Sequence, residues 1–235
     1  MSRQLASSRS VADVTRGGWA PTGTSAARRD AIVKAPGPKA SRTRQRLLDA
    51  ARVVFAEHGY LDSTIEHIVA EAGVSRGSFY TYFESKTEVF RHLVAMIDDA
   101  VDSRVAHVDR TTDDDMVGRL LASNRSYLEV VQNNADLYRL VDQVAAYDDS
   151  VRAARLRSHR RHVARVAKTI GRWQAGGVAD PSVDATATAA ALVAMLSSSA
   201  HWIHVDGDRS DADPATTLTS IWVRACGLHT SKVSP

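Results

Sequence analysis

The sequence predicts an all-α protein, and two features of its pattern support that prediction. From about residue 41 onward, apolar residues recur at helical spacing, and Gly, Pro and Asp residues separate the segments that they define. No segment requires a strand. With 235 residues, 44% of them hydrophobic, the chain can bury a substantial helical core. Its one cysteine, Cys226, excludes a disulfide framework and a CxxC metal or redox motif.

The first 40 residues differ in composition from the rest. They are rich in Ser, Ala, Gly, Pro and Arg, and they hold seven basic and two acidic residues, a net charge of +5. Since the whole chain carries +3, the other 195 residues carry −2. Because this segment has neither an apolar core nor an amphipathic pattern, residues 1–40 are predicted to be a disordered basic N-terminal arm.

Residues 41–86 are predicted to hold three helices. The first runs from Ser41 to His58, and Gly59 ends it. Its apolar stripe consists of Leu47, Leu48, Ala51, Val54 and Phe55.

The stretch from Thr64 to Lys86 predicts a helix-turn-helix. Ser63 and Glu66 form a capping-box pattern at the start of the second helix. Gly73 provides a left-handed stop, and Ser75 can cap the third helix. A three-residue turn at a glycine between two helices is the geometry of a DNA-reading motif.

In one register this stretch reads Thr64-x-x-x-Ile68, Ala72-Gly73-Val74-Ser75-x-Gly77-x-x-Tyr80-x-Tyr82-Phe83-x-x-Lys86. It resembles the DNA-binding head of the tetracycline-repressor (TetR) family, departing only at Val69, where that family usually has Ala. The resemblance implies a nine-helix, all-α architecture. It is specific over residues 41–90 and architectural over residues 91–230.

Residues 87–229 are predicted to form a ligand-binding and dimerisation domain, and 230–235 a C-terminal tail. Its helices are expected at 85 to about 108, 114–132, 135–146, 148–175, 184–205 and 214–228. A second capping box, Ser85 with Glu88, begins the first of these, which is expected to link the two domains mechanically. Eight basic residues lie between 152 and 172. We interpret them as a solvated helix face, since five of them, Arg157, Arg161, Arg165, Lys168 and Arg172, lie opposite the apolar stripe.

Residues 185–205 contain no Asp, Glu, Lys or Arg, which raises the question of a membrane span. Three Ser, two Thr and two His in that stretch favour a buried helix instead, so no membrane association is predicted. The last two helices, about 184–205 and 214–228, are apolar over much of their surface. The resemblance implies that they form the interface of a homodimer.

The family resemblance implies which residues contact double-stranded operator DNA. The expected base-reading residues, in the major groove, are Arg76, Gly77, Ser78 and Tyr80. The expected phosphate contacts are Thr64, Thr81, Tyr82 and Lys86. Arg42 and Arg44 also suit phosphates, although a charged helix start in water has the same pattern. Phe79 and Phe83 are expected in the core of the head. The arm either follows phosphates and the minor groove or is dispensable.

Seven side chains in otherwise apolar stripes are candidates for an effector pocket: Asn124, Tyr127, Tyr138, His159, Met195, Trp202 and Trp222. Each one alone is better explained as a core residue, and only as a group do they indicate a pocket. The run Ile221-Trp222-Val223 resembles one in the ethionamide-resistance repressor, which belongs to a group with large apolar pockets. The resemblance thus implies a dimeric repressor that leaves a palindromic operator when a small apolar or amphipathic ligand binds.

Two other functions compete with this interpretation. An enzyme is disfavoured because the chain lacks GxSxG, HExxH, a phosphate loop and a dinucleotide fingerprint, and His159-x-x-His162 has no carboxylates nearby in sequence. A protein that coats DNA regardless of sequence would need a more basic body. We therefore expect a cytoplasmic bacterial regulator, bound to the nucleoid when on DNA, without catalytic residues, metal or cofactor.

Overall fold

The computed structural model describes residues 37–111, 116–205 and 213–228, and it confirms the all-α prediction. Nine α-helices and no strand lie within these residues. In chain order they are α1 (Pro38–Asp62), α2 (Ile65–Ala72), α3 (Arg76–Tyr82), α4 (Lys86–Thr111), α5 (Met116–Asn133), α6 (Ala135–Ala145), α7 (Asp149–Ala175), α8 (Ala185–Ala200) and α9 (Pro214–Ala225). We call α1 to α3 the head and α4 to α9 the body. The tail and the predicted arm up to residue 36 lie outside the described residues.

The boundaries of α1 differ from the prediction at both ends. The helix begins at Pro38, inside the predicted arm, because proline is suited to the first helical turn. Gly59 leaves helical geometry with φ 69°, as a helix-ending glycine should, but one further turn continues to Asp62. The helical segment is therefore kinked at Gly59 rather than ended there.

The predicted capping box at α2 is wrong by one residue. Ser63 is buried and its hydroxyl donates to the carbonyl of Val54 at 3.2 Å and to that of Gly59. Thr64 is the N-cap instead, accepting from the backbone N–H of His67 at 3.1 Å. The cap at α4 is as predicted, with Ser85 Oγ accepting from the N–H of Glu88 at 3.1 Å.

The head core is built from aromatic rings, and it extends into the first turns of α4. Phe55, Phe79, Phe83 and Phe90 are each at most 1% exposed, which confirms the expectation for Phe79 and Phe83. Phe55 and Phe90 meet edge to face with centroids 5.6 Å apart. The start of α4 is therefore packed as part of the head, although its later turns belong to the body.

The body has a second apolar cluster between α5, α7, α8 and α9. Its fully buried members include Ile170, Ala189, Ala200 and Cys226. The helix α8 ends in one π-helical turn, His201–Val205. Within the described residues, no helix has the length and apolarity needed to cross a bilayer.

The expected solvated basic face on α7 is only partly present. Arg161 pairs with Asp98 of α4 at 3.2 Å, and Arg165 forms an ion pair with Asp102 of the same helix. Part of the basic face is therefore an electrostatic seam between α7 and α4, because α4 carries carboxylates where the two helices meet.

The head also contacts the body away from α4. Arg52 of α1 donates to Asp136 Oδ2 at 3.0 Å, to Asn134 Oδ1 at 2.9 Å and to the carbonyl of Asn133 at 2.9 Å. These acceptors lie at the turn between α5 and α6 and in the first turn of α6. The expectation that the fourth helix links the domains is therefore incomplete, since α1 also joins the body through these polar bonds and through an apolar cluster that it shares with α6.

Candidate nucleic-acid interface and ligand cavities

The turn between α2 and α3 holds the third helix in a fixed orientation. Gly73 adopts the left-handed conformation with φ 61°, and its N–H bonds to the carbonyl of Ala70. Ser75 Oγ accepts from the N–H of Ser78 at 3.1 Å and so caps α3. Arg46 of α1 donates to the carbonyl of Ala72 at 2.5 Å, which ties the turn to the first helix.

Arg76 lies exposed at the start of α3, within a small polar cluster. One guanidinium nitrogen forms an ion pair with Glu66 of α2, and another donates to the hydroxyl of Tyr80 at 3.2 Å. The Arg76 side chain remains 60% exposed. Glu66 was missed as a site residue because it was interpreted as part of a capping box. The available signal was the position of Glu66 on the exposed side of α2, ten residues before Arg76.

Gly77 is next to Arg76 on the exposed start of α3. A methyl group added there would meet only Ser75 Oγ, at 3.8 Å, which is ordinary van der Waals contact, and the backbone does not have positive φ. The fold itself therefore does not require glycine at this position. Ser78, one residue on, is half-buried, and its hydroxyl lies 3.1 Å from that of Ser75.

Two of the residues that are expected to contact phosphates, Lys86 and Thr64, form hydrogen bonds within the protein. Lys86 Nζ donates to the carbonyls of Tyr60 and Ser63, each at 2.6 Å, and lies 4.5 Å from the centroid of the Tyr60 ring. Burial lowers the pKa of this half-buried amine. In this structure its donors bind the C-terminal carbonyls of α1, and the expected phosphate role of Lys86 stays a prediction. Thr64 Oγ1 similarly accepts the bond that caps α2.

The remaining phosphate candidates divide by exposure. Arg44 is half-buried, with its guanidinium 3.1 Å from His92 Nδ1 and 5.3 Å from the Phe83 ring, so it packs the head against α4. Arg42 is exposed near the start of α1. Thr81 and Tyr82 are half-buried on α3, and the Thr81 hydroxyl donates to the carbonyl of Gly77 at 3.1 Å.

The body contains two adjoining cavities. The first, of about 480 Å³, is lined by residues of α4, α5, α7, α8 and α9, and we call it the basic cavity because Arg119, Arg165 and Arg172 line it. The second, of about 590 Å³, is lined by α4 to α8 and the π-helical turn. We call it the balanced cavity because Asp98 and Asp142 line it together with Arg155. Both volumes lie within the range of small-molecule sites.

A shared wall separates the cavities. It consists of Tyr127, His162, Val193 and Ser197, and the Tyr127 hydroxyl donates to Ser197 Oγ at 3.2 Å. Burial raises the pKa of Tyr127, so its phenol stays protonated as a donor. His162, 3.4 Å from Asp102, has its pKa lowered chiefly by burial and then by the charge of Arg165, against the pull of the carboxylate.

The structure distributes the seven predicted pocket residues unevenly. Asn124 and Trp222 line the basic cavity, Tyr127 lines both, and Tyr138, His159 and Trp202 line the balanced one. Met195 lines neither of these two cavities, because it packs in the second apolar cluster. The polar lining residues that the sequence argument did not select include Arg165 and Arg172, which were attributed to a solvated face, and Arg119 and His162, which were not.

These features define a helix-turn-helix protein whose helical body encloses ligand-sized spaces. Residues 47–93 match the family described as bacterial regulatory proteins, tetR family, and residues 113–226 match the tetracyclin repressor-like C-terminal domain. Together the matches cover most of the chain. The protein therefore belongs to the TetR family.

Sequence similarity to individual relatives covers short stretches of the chain. The chain is 44% identical over 57 residues to the HTH-type transcriptional regulator SrpR of Pseudomonas putida, covering 24% of this chain and 27% of that protein. It is 37% identical over 62 residues to the probable acrEF/envCD operon repressor of Escherichia coli strain K12, covering 26% and 28%. The match thus spans under a third of the length of either relative.

Structural similarity covers a much larger share of the chain. A putative TetR-family transcriptional regulator from Syntrophomonas wolfei superposes with a TM-score of 0.68 at 21% identity, covering 82% of this chain and 99% of that one. At this identity the likeness concerns the fold alone.

Proposed function

We propose that this protein is a sequence-specific DNA-binding transcriptional regulator, a homodimeric repressor that a small amphipathic ligand releases from a palindromic operator. The observation that carries the proposal is the capped α2–α3 turn, which presents the exposed Arg76 and Gly77 at the start of a recognition helix. A relative that is 37% identical over 62 residues is named as a probable operon repressor, which supports the direction of control. We place the protein in the bacterial cytoplasm and assign it no enzymatic activity.

Arg76 is the side chain suited to reading a base directly. Its planar guanidinium can make two parallel bonds to guanine in the major groove. In the free protein the same group is bound to Glu66 and Tyr80, which keeps it extended over the surface of α3. Binding to guanine would exchange those bonds for bonds to the base, while Ser78 and Tyr80 contact neighbouring positions.

The proposed dimer forms through α8 and α9. Trp202, after the end of α8, is 58% exposed, and Ile221 on α9 is 40% exposed, while Ala194 and Ser198 of α8 are also exposed. Small residues beside large apolar ones permit close approach of a second pair of helices. A partner copy would cover this apolar surface, which a monomer leaves in water.

A ligand could act on the head through α4. Val101 and Val105 of α4 line the basic cavity, and the same helix begins at Lys86, whose ammonium group holds the end of α1. A bound molecule that displaces α4 would therefore move the head and change the spacing of two heads in a dimer. Half-sites one helical turn apart, about 34 Å, tolerate little change in that spacing.

Selection from random duplex DNA at near-physiological salt tests the proposal. Retained sequences should converge on a short palindrome, because two recognition helices related by symmetry read the same half-site twice. Absence of enrichment, or enrichment that disappears with a modest rise in salt, would remove sequence-specific binding from the account.

Arg76→Ala should relax the preference at one position of each half-site. The lost bidentate contact corresponds to about 1–3 kcal/mol of discrimination between bases. Binding curves on the selected palindrome and on single-base variants measure this directly. If Arg76→Ala weakened binding equally on all of these duplexes, Arg76 would be a positioning group and not a base reader.

Gly77→Ala separates the needs of the fold from those of DNA binding. Because the added methyl group meets only ordinary contacts and alanine favours a helix, the free energy of unfolding should stay the same or rise by up to about 1 kcal/mol. Operator affinity should nevertheless fall if the backbone at Gly77 approaches the DNA closely. A variant that binds the operator as well as the parent would show that this approach does not occur.

A further inference from the structure

The basic cavity has a chemistry that selects one class of ligand. Among its described lining residues, three arginines and two tryptophans can only donate hydrogen bonds, and no Asp or Glu lines it. The remaining polar residues that line it can both donate and accept. A neutral hydrocarbon would offer nothing to the positive charge of this lining or to an unpartnered donor in it, so the lining favours a molecule with a strong acceptor.

One of these donors lacks a partner within the protein. The Trp222 indole Nε1 is buried and makes no hydrogen bond with the described residues, and Trp222 as a whole is only 5% exposed. An unsatisfied buried donor costs about 1–3 kcal/mol, which an acceptor on a bound molecule would recover. Tryptophan cannot accept in return, so the ligand must provide the acceptor.

The arginines of α7 provide the positive charge. Arg165 is half-buried and shares Asp102 with His162, so its charge is partly offset by one carboxylate behind the cavity wall. Arg172, about two helical turns further along α7, is exposed, and its guanidinium donates to Thr169 Oγ1 at 3.1 Å. Its exposure places it at the opening of the cavity, where a charged group can enter without losing all its water.

The rest of the lining is apolar. Leu120, Leu196 and Val193 are each at most 8% exposed, and they line the same cavity as the arginines. This combination of an apolar lining and donor groups fits an amphipathic molecule. The balanced cavity lacks this bias, since Asp98 and Asp142 line it beside Arg155.

We propose that the basic cavity binds an amphipathic anion, a monocarboxylate with an apolar chain, as the effector class of this regulator. The proposal rests on the regulatory function proposed above and deepens it. The carboxylate accepts from the α7 arginines and the chain lies against the apolar wall. Charge-assisted bonds of this kind correspond to roughly tenfold or more in affinity over a neutral analogue.

Three probes that share one apolar chain and differ in charge test the proposal: decanoate, 1-decanol and decylamine. Calorimetry on the full-length protein, below the concentrations at which the probes aggregate, should give decanoate about tenfold tighter binding than 1-decanol, and decylamine the weakest. Arg172→Gln should reduce the preference for decanoate over 1-decanol. Arg157→Gln, an exposed arginine on the same helix that does not line the cavity, should retain it.

Trp222→Phe keeps an aromatic ring and removes the unpartnered indole N–H. It should weaken decanoate while leaving 1-decanol within about twofold, since a hydroxyl is the weaker acceptor. Equal or tighter binding of 1-decanol, binding of none of the probes, or the same loss in Arg157→Gln as in Arg172→Gln would overturn the proposal. In parallel, binding of each protein to the selected palindrome is measured without probe. Retained DNA binding then shows that only the ligand class has failed, and lost DNA binding shows that the regulatory function has failed.

Discussion

The head and the body use their buried space in different ways. In the head, the rings of Phe55, Phe79 and Phe83 fill the centre, and side chains such as Lys86 bind the backbone at its junctions. In the body, ion pairs between long helices border two cavities of several hundred cubic ångströms. A filled unit moves as one piece, while a unit with internal space can be reshaped by what enters it. The difference suits the proposed mechanism, in which a ligand bound in the body moves the DNA-binding head.

The largest expected effect is the loss of a head ring. Phe83→Ala removes a side chain that is 0% exposed, and it should lower the free energy of unfolding by about 3–5 kcal/mol. Leu120→Ala, which trims a residue at the wall of the basic cavity, should cost less, about 2 kcal/mol, because empty space already lies on one side of it. Denaturant unfolding measures both. Equal losses would contradict the contrast between a filled head and a hollow body.

The second effect concerns the junction between α1 and α4. Lys86→Met keeps the apolar stem and removes the donors to the α1 carbonyls, so stability should fall by about 1–3 kcal/mol. Operator affinity should then fall on every sequence with an unchanged salt slope. Lys168→Met, an exposed lysine on α7, is the control for charge alone. If the salt dependence of operator binding were instead lower by about one, with normal stability, Lys86 would be a phosphate contact.

The head could be predicted from the sequence more completely than the body. Gly73, Ser75 and the buried Phe79 and Phe83 occupy fixed positions in a local motif, and a local motif determines its own turn and core. Glu66 was missed because one helix start allows two caps, and only the burial of Ser63 decides between them.

The body needed information that the chain order does not contain. The sequence pattern predicts that Arg165 is a solvated residue on α7, and only the packing of α4 beside it shows its ion pair with Asp102. Tyr127 was selected because an aromatic residue stands out in an apolar stripe, and Trp222 was added by inference, whereas which cavity each one lines depends on how five helices pack. The assignment to the ethionamide-resistance-repressor group stays a prediction.

The smallest expected effect on stability tests the connection between the two regions. Arg52→Ala removes the bonds from α1 to Asp136, Asn134 and the Asn133 carbonyl. Because Arg52 and Asp136 are both about a third exposed, global stability should change by no more than about 1 kcal/mol. Amide hydrogen exchange should nevertheless accelerate in α1 around residue 52 and in the first turn of α6, since the polar bonds between them are gone.

An ion pair of similar exposure within the body serves as the control, because its loss does not affect the contact between head and body. Arg104 of α4 bonds to Glu129 of α5 at 3.0 Å, and both side chains are 49% exposed. Arg104→Ala should therefore leave exchange in the head unchanged. Operator affinity should fall in Arg52→Ala and stay in Arg104→Ala, because a head that has lost its polar bonds to the body samples more orientations relative to the body. If exchange at α6 stayed slow in Arg52→Ala, the polar bonds of Arg52 would not contribute to holding the head against the body.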